Sequence, residues 1–276
     1  MKRYEGIMIV SDLDGTFLDD KGHVVPRNID AIRAFCAEGG LFTFATGRHH
    51  DHLPEAVPGV KGLVNMPVIV ANGSYLYDFS TERVLAEVFM DVNLSRPVLQ
   101  FARANYPRVG FRVSTPQGYL TDGRTDYMKK FVDYSKKHRS YLVEVAPIEQ
   151  WMQRLWYKLV FQGTCEELDA LYADVKATFG EDAFEYNKSS ATLFEMQKKG
   201  CSKGSMLRVL KETYEILTGH PIKVYGVGDY ENDLSTLSAA DVAVCPANAH
   251  AAVKGISDMV LCSNDDGVIA DLIGTW

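Results

Sequence analysis

The chain has 276 residues, 46% of them hydrophobic and 24% charged, an ordinary balance for a globular protein of one large domain or two smaller ones. Its formal net charge of -7 argues against nucleic acid or an anionic membrane as the main partner, and no run approaches the ~20 apolar residues of a membrane span. Five cysteines, widely spaced and without a C-x-x-C pair, fit reduced thiols, and the N-terminus has no secretory pattern, so a soluble cytoplasmic protein, monomeric or weakly self-associating, is expected.

The first stretch alternates short apolar runs with helical patterns. Ile7 to Val10 reads as a buried strand, Asn28 to Glu38 as a helix ended by Gly39-Gly40, and Leu41 to Ala45 as a second strand. His49 to Val57 reads as a short helix stopped by Pro58-Gly59, and Val68 to Ala71 as a third strand. Such β-α-β-α-β grammar implies right-handed crossovers and a parallel sheet. The grammar resumes near the C-terminus. A helix capped by Ser202 runs to about Leu217, followed by a strand over Lys223–Val227 and a short helix over Asp233–Ser238. A strand over Val242–Val244 and a terminal helix over Asp265–Ile273 complete it.

The middle reads differently. Strands are expected around Arg83–Met90, Val109–Ser114, Tyr141–Val145, Leu155–Phe161 and Thr192–Met196, with helices around Ser95–Asn105, Thr125–His138 and Glu166–Phe179. The fold class is therefore α/β: a Rossmann-like, doubly wound parallel core, residues 1–80 plus 200–276, carrying an inserted α+β domain, residues 81–199.

Four strand ends carry polar groups. Asp12-Leu13-Asp14-Gly15-Thr16 follows the first strand, Thr46-Gly47-Arg48 the second, Asn72-Gly73-Ser74 the third, and Gly228-Asp229-Tyr230-Glu231-Asn232-Asp233 the strand over Lys223–Val227. In an open parallel sheet these ends share one edge, where ligands bind. Alone, Asp12 and Asp14 fit an ordinary turn as well as a metal site; four such ends together point to a site. Lys203 lies in the first turn of a helix, where the dipole disfavours cations, so a nearby anion explains it better than helix stability. Mg²⁺ prefers carboxylate and carbonyl oxygens, which Asp12, Asp14 and Asp229 supply. A carboxylate can attack phosphorus, a second can manage the proton, and hydroxyl, amide and ammonium donors can stabilise the phosphoryl oxygens.

These four segments, with Lys203, resemble the motifs of the haloacid-dehalogenase-like hydrolase superfamily in order and spacing. The insertion resembles the type-two cap of its Cof-type sugar-phosphatase branch, as do Asn72-Gly73 and the tail Asn248-Ala249 and Asp266-Gly267-Val268. The resemblance implies Asp12 as nucleophile and Mg²⁺ ligand, and Asp14 as general acid/base with its backbone carbonyl on the metal. It implies Asp229 as a further ligand, with Asp233 behind the ligands rather than on the metal. Thr46, Lys203 and Asn232 would contact the phosphoryl group, with Gly47, Arg48 and Asn72 beside them at the substrate edge. The implied activity is hydrolysis of small phosphorylated metabolites, most plainly sugar phosphates, through an aspartyl phosphate, with the cap closing over the site. A sugar phosphomutase and a non-catalytic phosphometabolite sensor are the alternatives.

Other residues take plainer readings. His49, His50 and His52 invite a metal-cluster reading, but they fall on a short polar helix and read as its solvated face. Trp151 and Trp156 read as core, and Cys201 as a small buried side chain. Arg112 and Lys188 are candidates for a second anionic group of a substrate.

Overall fold

A computed structural model describes residues 2–138 and 141–276. In chain order, β1 (Ile7–Ser11), α1 (Pro26–Ala37), β2 (Leu41–Phe44), α2 (Leu53–Ala56) and α3 (Val60–Leu63) precede β3 (Val68–Val70), β4 (Tyr75–Asp78) and β5 (Arg83–Glu87). Next come α4 (Val92–Asn105), β6 (Gly110–Thr115), β7 (Gly118–Thr121), α5 (Asp126–His138), β8 (Val143–Val145) and α6 (Ile148–Trp151). Then follow β9 (Lys158–Gln162), α7 (Cys165–Phe179), β10 (Phe184–Ser190) and β11 (Leu193–Lys198). The chain closes with α8 (Lys203–Thr218), β12 (Lys223–Val227), α9 (Leu234–Ala239), β13 (Val242–Pro246), α10 (Ala251–Lys254), β14 (Met259–Leu261) and α11 (Val268–Gly274). Two compact units result, Met1–Glu87 with Ser202–Trp276, and Val88–Cys201.

The first unit is built on a parallel sheet in the order β14-β13-β12-β1-β2. Met8, Ile9 and Val10 are fully buried, which is why this run is apolar on both faces rather than alternating. The step from β1 through α1 to β2 runs one way along the sheet, and that from β12 through α9 to β13 the other. Right-handed crossovers in opposite directions put their helices on opposite faces. On these faces α1 packs with α11 and α8 with α9. Strand order reverses between β1 and β12, so the crevice at their C-terminal ends is where such a sheet binds ligands.

The third strand joins the second in the expected parallel sense, but only briefly. One parallel bridge, Ala45 to Ile69, joins it to the second strand, and beyond that β3 pairs antiparallel with β4 and β4 with β5. The cause is local: Ala71, Asn72 and Gly73 all have positive φ, of 49°, 55° and 91°, and turn the chain straight back. At Gly73 a Cβ would run into the Ser202 carbonyl, so only glycine fits there. β5, expected at the start of the insertion, belongs to this hairpin, and the division between units falls at Glu87/Val88 and Cys201/Ser202. The expected helix over 49–57 is a 3₁₀ turn, His50–His52, followed by the single turn of α2. Left-handed Gly267 (φ 84°) breaks the terminal helix into a short turn and α11.

The second unit is a six-stranded sheet in the order β10-β11-β9-β6-β7-β8, antiparallel except between β7 and β8. Phe111, Val113, Leu159, Phe161, Phe194 and Met196 join one core with Val98 and Leu99 of α4 and Leu168, Leu171 and Val175 of α7. The intervening residues of the same strands, Arg112, Lys158, Glu195 and Gln197, lie on the other face by the period-two rule. There Lys158 Nζ bonds Glu195 Oε1 at 2.9 Å, with both side chains buried. Arg112 donates to Gln162 and covers the Phe131 ring at 4.4 Å, while Lys188 pairs with Asp169 on α7. Trp151 and Trp156 are fully buried; their indole N–H groups bond the Ala146 and Trp151 carbonyls. Trp151→Ala should therefore destabilise this unit by about 3–5 kcal/mol. Urea unfolding followed by the fluorescence of Trp156 would read that loss, and an unchanged midpoint would contradict the packing.

Candidate active site

The apolar strands β1 and β12 deliver their first polar residues to the same edge. Asp12 leaves β1 with its N–H on the Val227 carbonyl at 2.8 Å, so the two strand ends are locked side by side. The chain then turns through Leu13–Phe17 with Gly15 left-handed (φ 79°). A Cβ on Gly15 would lie 2.5 Å from Asp229 Oδ2, so glycine is also what lets this turn approach the β12 loop. Thr16 Oγ1 donates to Asp229 Oδ1 at 2.6 Å. Asn248 Nδ2 donates to the Gly15 carbonyl at 2.8 Å, while Asn248 Oδ1 accepts the Asn264 N–H at 3.0 Å.

At the centre lies Lys203, 1% exposed at the first position of α8. Ser202 caps that helix by accepting from Ser205 N, which fixes where the lysine leaves the backbone. Its Nζ donates to Asp12 Oδ1 and to Asp233 Oδ1, both at 2.6 Å. The other oxygen of Asp233 accepts the backbone N–H groups of Asp229 (3.0 Å) and Tyr230 (3.2 Å). Asp233 thus ties the lysine to the loop bearing Asp229, and its two oxygens are both engaged.

Carboxylate oxygens of Asp12, Asp229 and Asp233 lie within 4.8 Å of one another. Burial raises the Asp12 pKa well above the carboxylate range; Asp233 adds to the rise and Lys203 opposes it. Burial likewise pushes Asp229 up to about 7, with Asp233 adding repulsion and the Thr16 hydroxyl opposing it. Burial works against the charge of Lys203, but Asp12 and Asp233 more than reverse this and hold its pKa above the usual lysine value. Three crowded carboxylates facing one ammonium form a hard-oxygen donor set whose repulsion a divalent cation would relieve.

The remaining sequence candidates form two further groups. Asp14 is exposed and its carboxylate stands outside the acidic triplet, held by Arg48 through Nε–Oδ2 at 2.9 Å and Nη2–Oδ1 at 2.5 Å. Thr46 is fully buried, and its Oγ1 accepts the Arg48 N–H at 3.1 Å. Asn72, also buried, accepts from Asn232 Nδ2 at 3.4 Å, which joins the third strand end to the β12 loop. A Cβ on Gly47 would come within 2.9 Å of Asn72 Oδ1, so Gly47 sits tightly against that pair.

The histidines do not form a solvated face. His49 is 1% exposed, and His50 stacks on Tyr77 with centroids 3.9 Å apart. His49, extended just before the 3₁₀ turn, packs on Tyr75 of β4, as does His50, the first residue of the turn. Although burial favours its neutral form, hydrogen bonds from His49 and His50 hold Asp51 well below the usual carboxylate range. Sequence reasoning also gave Thr16 no role beyond turning the chain. A hydroxyl directly after the left-handed glycine was the available signal.

A family model described as haloacid dehalogenase-like hydrolase matches residues 9–273. A pyridoxal phosphate phosphatase of Escherichia coli K12, YbhA, is 26% identical over 271 residues, covering 96% of this chain and 97% of the relative. The phosphatase YwpJ of Bacillus subtilis 168 is 27% identical over 290 residues, covering 96% and 98%. Among solved structures, a haloacid dehalogenase-like hydrolase from Bacteroides thetaiotaomicron matches with a TM-score of 0.80 at 19% identity, over 99% of each chain. A HAD subclass IIB sugar phosphatase matches at 0.78 and 18% identity, over 98% of each chain. The match from residue 9 to 273 spans both units, and the chain belongs to the haloacid dehalogenase-like hydrolases.

Proposed function

We propose that this hydrolase is a phosphatase of the Cof-type branch, hydrolysing monoesters of small phosphorylated metabolites, sugar phosphates foremost, through an aspartyl phosphate on Asp12. The observation that carries the reading is the buried Lys203 bridge, which presents Asp12 at the reversal of strand order beside Asp229. The names of the relatives support the substrate class: one acts on pyridoxal phosphate, and one structural neighbour is a sugar phosphatase.

In this reading a carboxylate oxygen of Asp12 attacks phosphorus as the bond from phosphorus to the ester oxygen breaks. Lys203 holds Asp12 in place and offsets the repulsion between its carboxylate and that of Asp233. Asp14, steered by Arg48, gives its proton to the departing alkoxide and then takes one from the water that cleaves the acyl phosphate. Thr46, Gly47, Arg48, Asn72 and Asn232 contribute donors to the phosphoryl oxygens at the shared edge. Asp12, Asp229 and the Asp14 carbonyl would hold Mg²⁺, which when bound neutralises charge on the phosphoryl group and on the attacking carboxylate.

Asp12→Asn should lower turnover of an aryl phosphate by about 10³-fold or more while leaving the fold intact. Phosphate release from a panel of phosphorylated metabolites reads both the activity and its preference. Isomerised substrate without free phosphate would overturn the hydrolase reading. Mg²⁺ should raise the melting temperature of the wild-type protein and should fail to do so for Asp229→Asn, whereas EDTA should abolish turnover. Equal Mg²⁺ shifts in both proteins would remove Asp229 from the metal site. Lys203→Ala leaves two buried carboxylates without their cation, so it should cost about 3–5 kcal/mol in denaturant unfolding as well as activity. A stable Lys203→Ala protein would contradict the bridge.

A further inference from the structure

His49, His50 and Asp51 follow directly on the Thr46-Gly47-Arg48 strand end, and the chemistry above uses none of them. Ligand-capable atoms of all three lie within 4.8 Å of one another. The Asp51 carboxylate is bracketed by two imidazoles: Oδ2 is 3.3 Å from His49 Nδ1, and Oδ1 is 3.1 Å from His50 Nε2. Their side chains grade from interior to surface, at 1% exposure for His49, 18% for His50 and 41% for Asp51. The cluster is therefore anchored inside and open outside.

The His50 ring is held by what lies behind it. Tyr75 Oη accepts the His50 backbone N–H at 3.1 Å and lies 2.9 Å from His50 Nδ1. The same ring stacks on Tyr77 with an interplanar angle of 16°. When Nδ1 donates to the phenol oxygen, the Nε2 lone pair is left for a metal ion placed between it and Asp51. An outer oxygen that fixes the tautomer and ring plane is the usual support of a metal-ligating imidazole. In the opposite tautomer the Nε2 proton bonds Asp51 directly, and a metal ion takes the place of that proton. A cavity of about 330 Å³ opens beside His50 and Asp51, lined also by Lys61, Tyr77 and Glu82. It provides an entry path and room for water to complete a coordination shell.

We propose that His49, His50 and Asp51 form a second metal site, for divalent transition ions of the zinc type. Two imidazole nitrogens and one carboxylate suit Zn²⁺, Co²⁺ or Ni²⁺, whereas the all-oxygen set of Asp12, Asp229 and the Asp14 carbonyl suits Mg²⁺. The two sites thus differ in the ion each prefers. A metal at the histidine site closes a chelate on the turn immediately after Thr46 and Arg48, and so steadies the segment that leads out of the strand end.

The test uses the full chain, freed of metal, with Asp229→Asn in place to weaken the carboxylate site. Titration with Co²⁺ should give one equivalent with visible d–d absorption, lost on adding Zn²⁺ and indifferent to Mg²⁺. Adding His50→Gln or Asp51→Asn should weaken Zn²⁺ binding tenfold or more with an unchanged circular dichroism spectrum. Where either variant loses its fold, carbethoxylation of His50 in the unmutated ligand set replaces it, and Zn²⁺ should slow that reaction. Absence of the Co²⁺ bands, a Zn²⁺ affinity unmoved by both substitutions, or an unprotected His50 would each overturn the proposal.

Discussion

The candidate site depends on one buried ammonium. Lys203 is almost wholly removed from water, yet it carries its charge because Asp12 and Asp233 lie 2.6 Å away on two different strand-end loops. Without both partners a buried lysine of this kind would lose its proton, and without the lysine two buried carboxylates would repel. The bridge joins residues 191 and 30 positions apart, so it forms only when β1, β12 and α8 are already assembled. It makes the attacking carboxylate a product of the whole first unit rather than of its own pentapeptide.

Close approach of backbone explains how so many groups fit around that bridge. Gly15 lets the β1 loop press against Asp229, and Gly73 lets the turn after β3 press against the start of α8. Both glycines have positive φ, so conformation and space select the same residue. Asn248 and Asn264 then fasten the Gly15 carbonyl to the C-terminal segment, and Asn264 Nδ2 also reaches the Leu18 carbonyl at 3.0 Å. The loop bearing Asp12 and Asp14 is thereby held from the strand side by β12 and from the far side by the tail.

The inserted unit follows a different rule. Its sheet buries one face under α4 and α7 and keeps mostly polar residues on the other, a period-two alternation along β6, β9 and β11 that Val160 interrupts on the polar face of β9. The three long helices there, α4, α5 and α7, were legible to within a few residues because amphipathic spacing is a local signal, whereas the single turn of α6 was not. Strands β7 and β10 were not legible: the first is a four-residue run, and the second is mostly polar and half-buried, with no apolar alternation to announce it. β14 escaped for the same reason, as a three-residue edge strand.

Sequence by itself determined the parallel core, the strand ends that carry polar groups, and the identity of the residues meeting at one edge. These follow from runs of apolar residues and from the breaks after them, which are properties of neighbours in the chain. Tertiary structure decided what those residues do to one another. It placed the Asp233 carboxylate within the acidic triplet and the Asp14 carboxylate outside it, against Arg48. It turned the third strand into a hairpin and buried His49, which a polar run of histidines had marked as solvent-facing. The carboxylate and histidine outcomes depend on the burial of polar side chains and on partners distant in sequence, which spacing does not report; the hairpin follows from the left-handed backbone at Ala71–Gly73, which residue types alone did not announce.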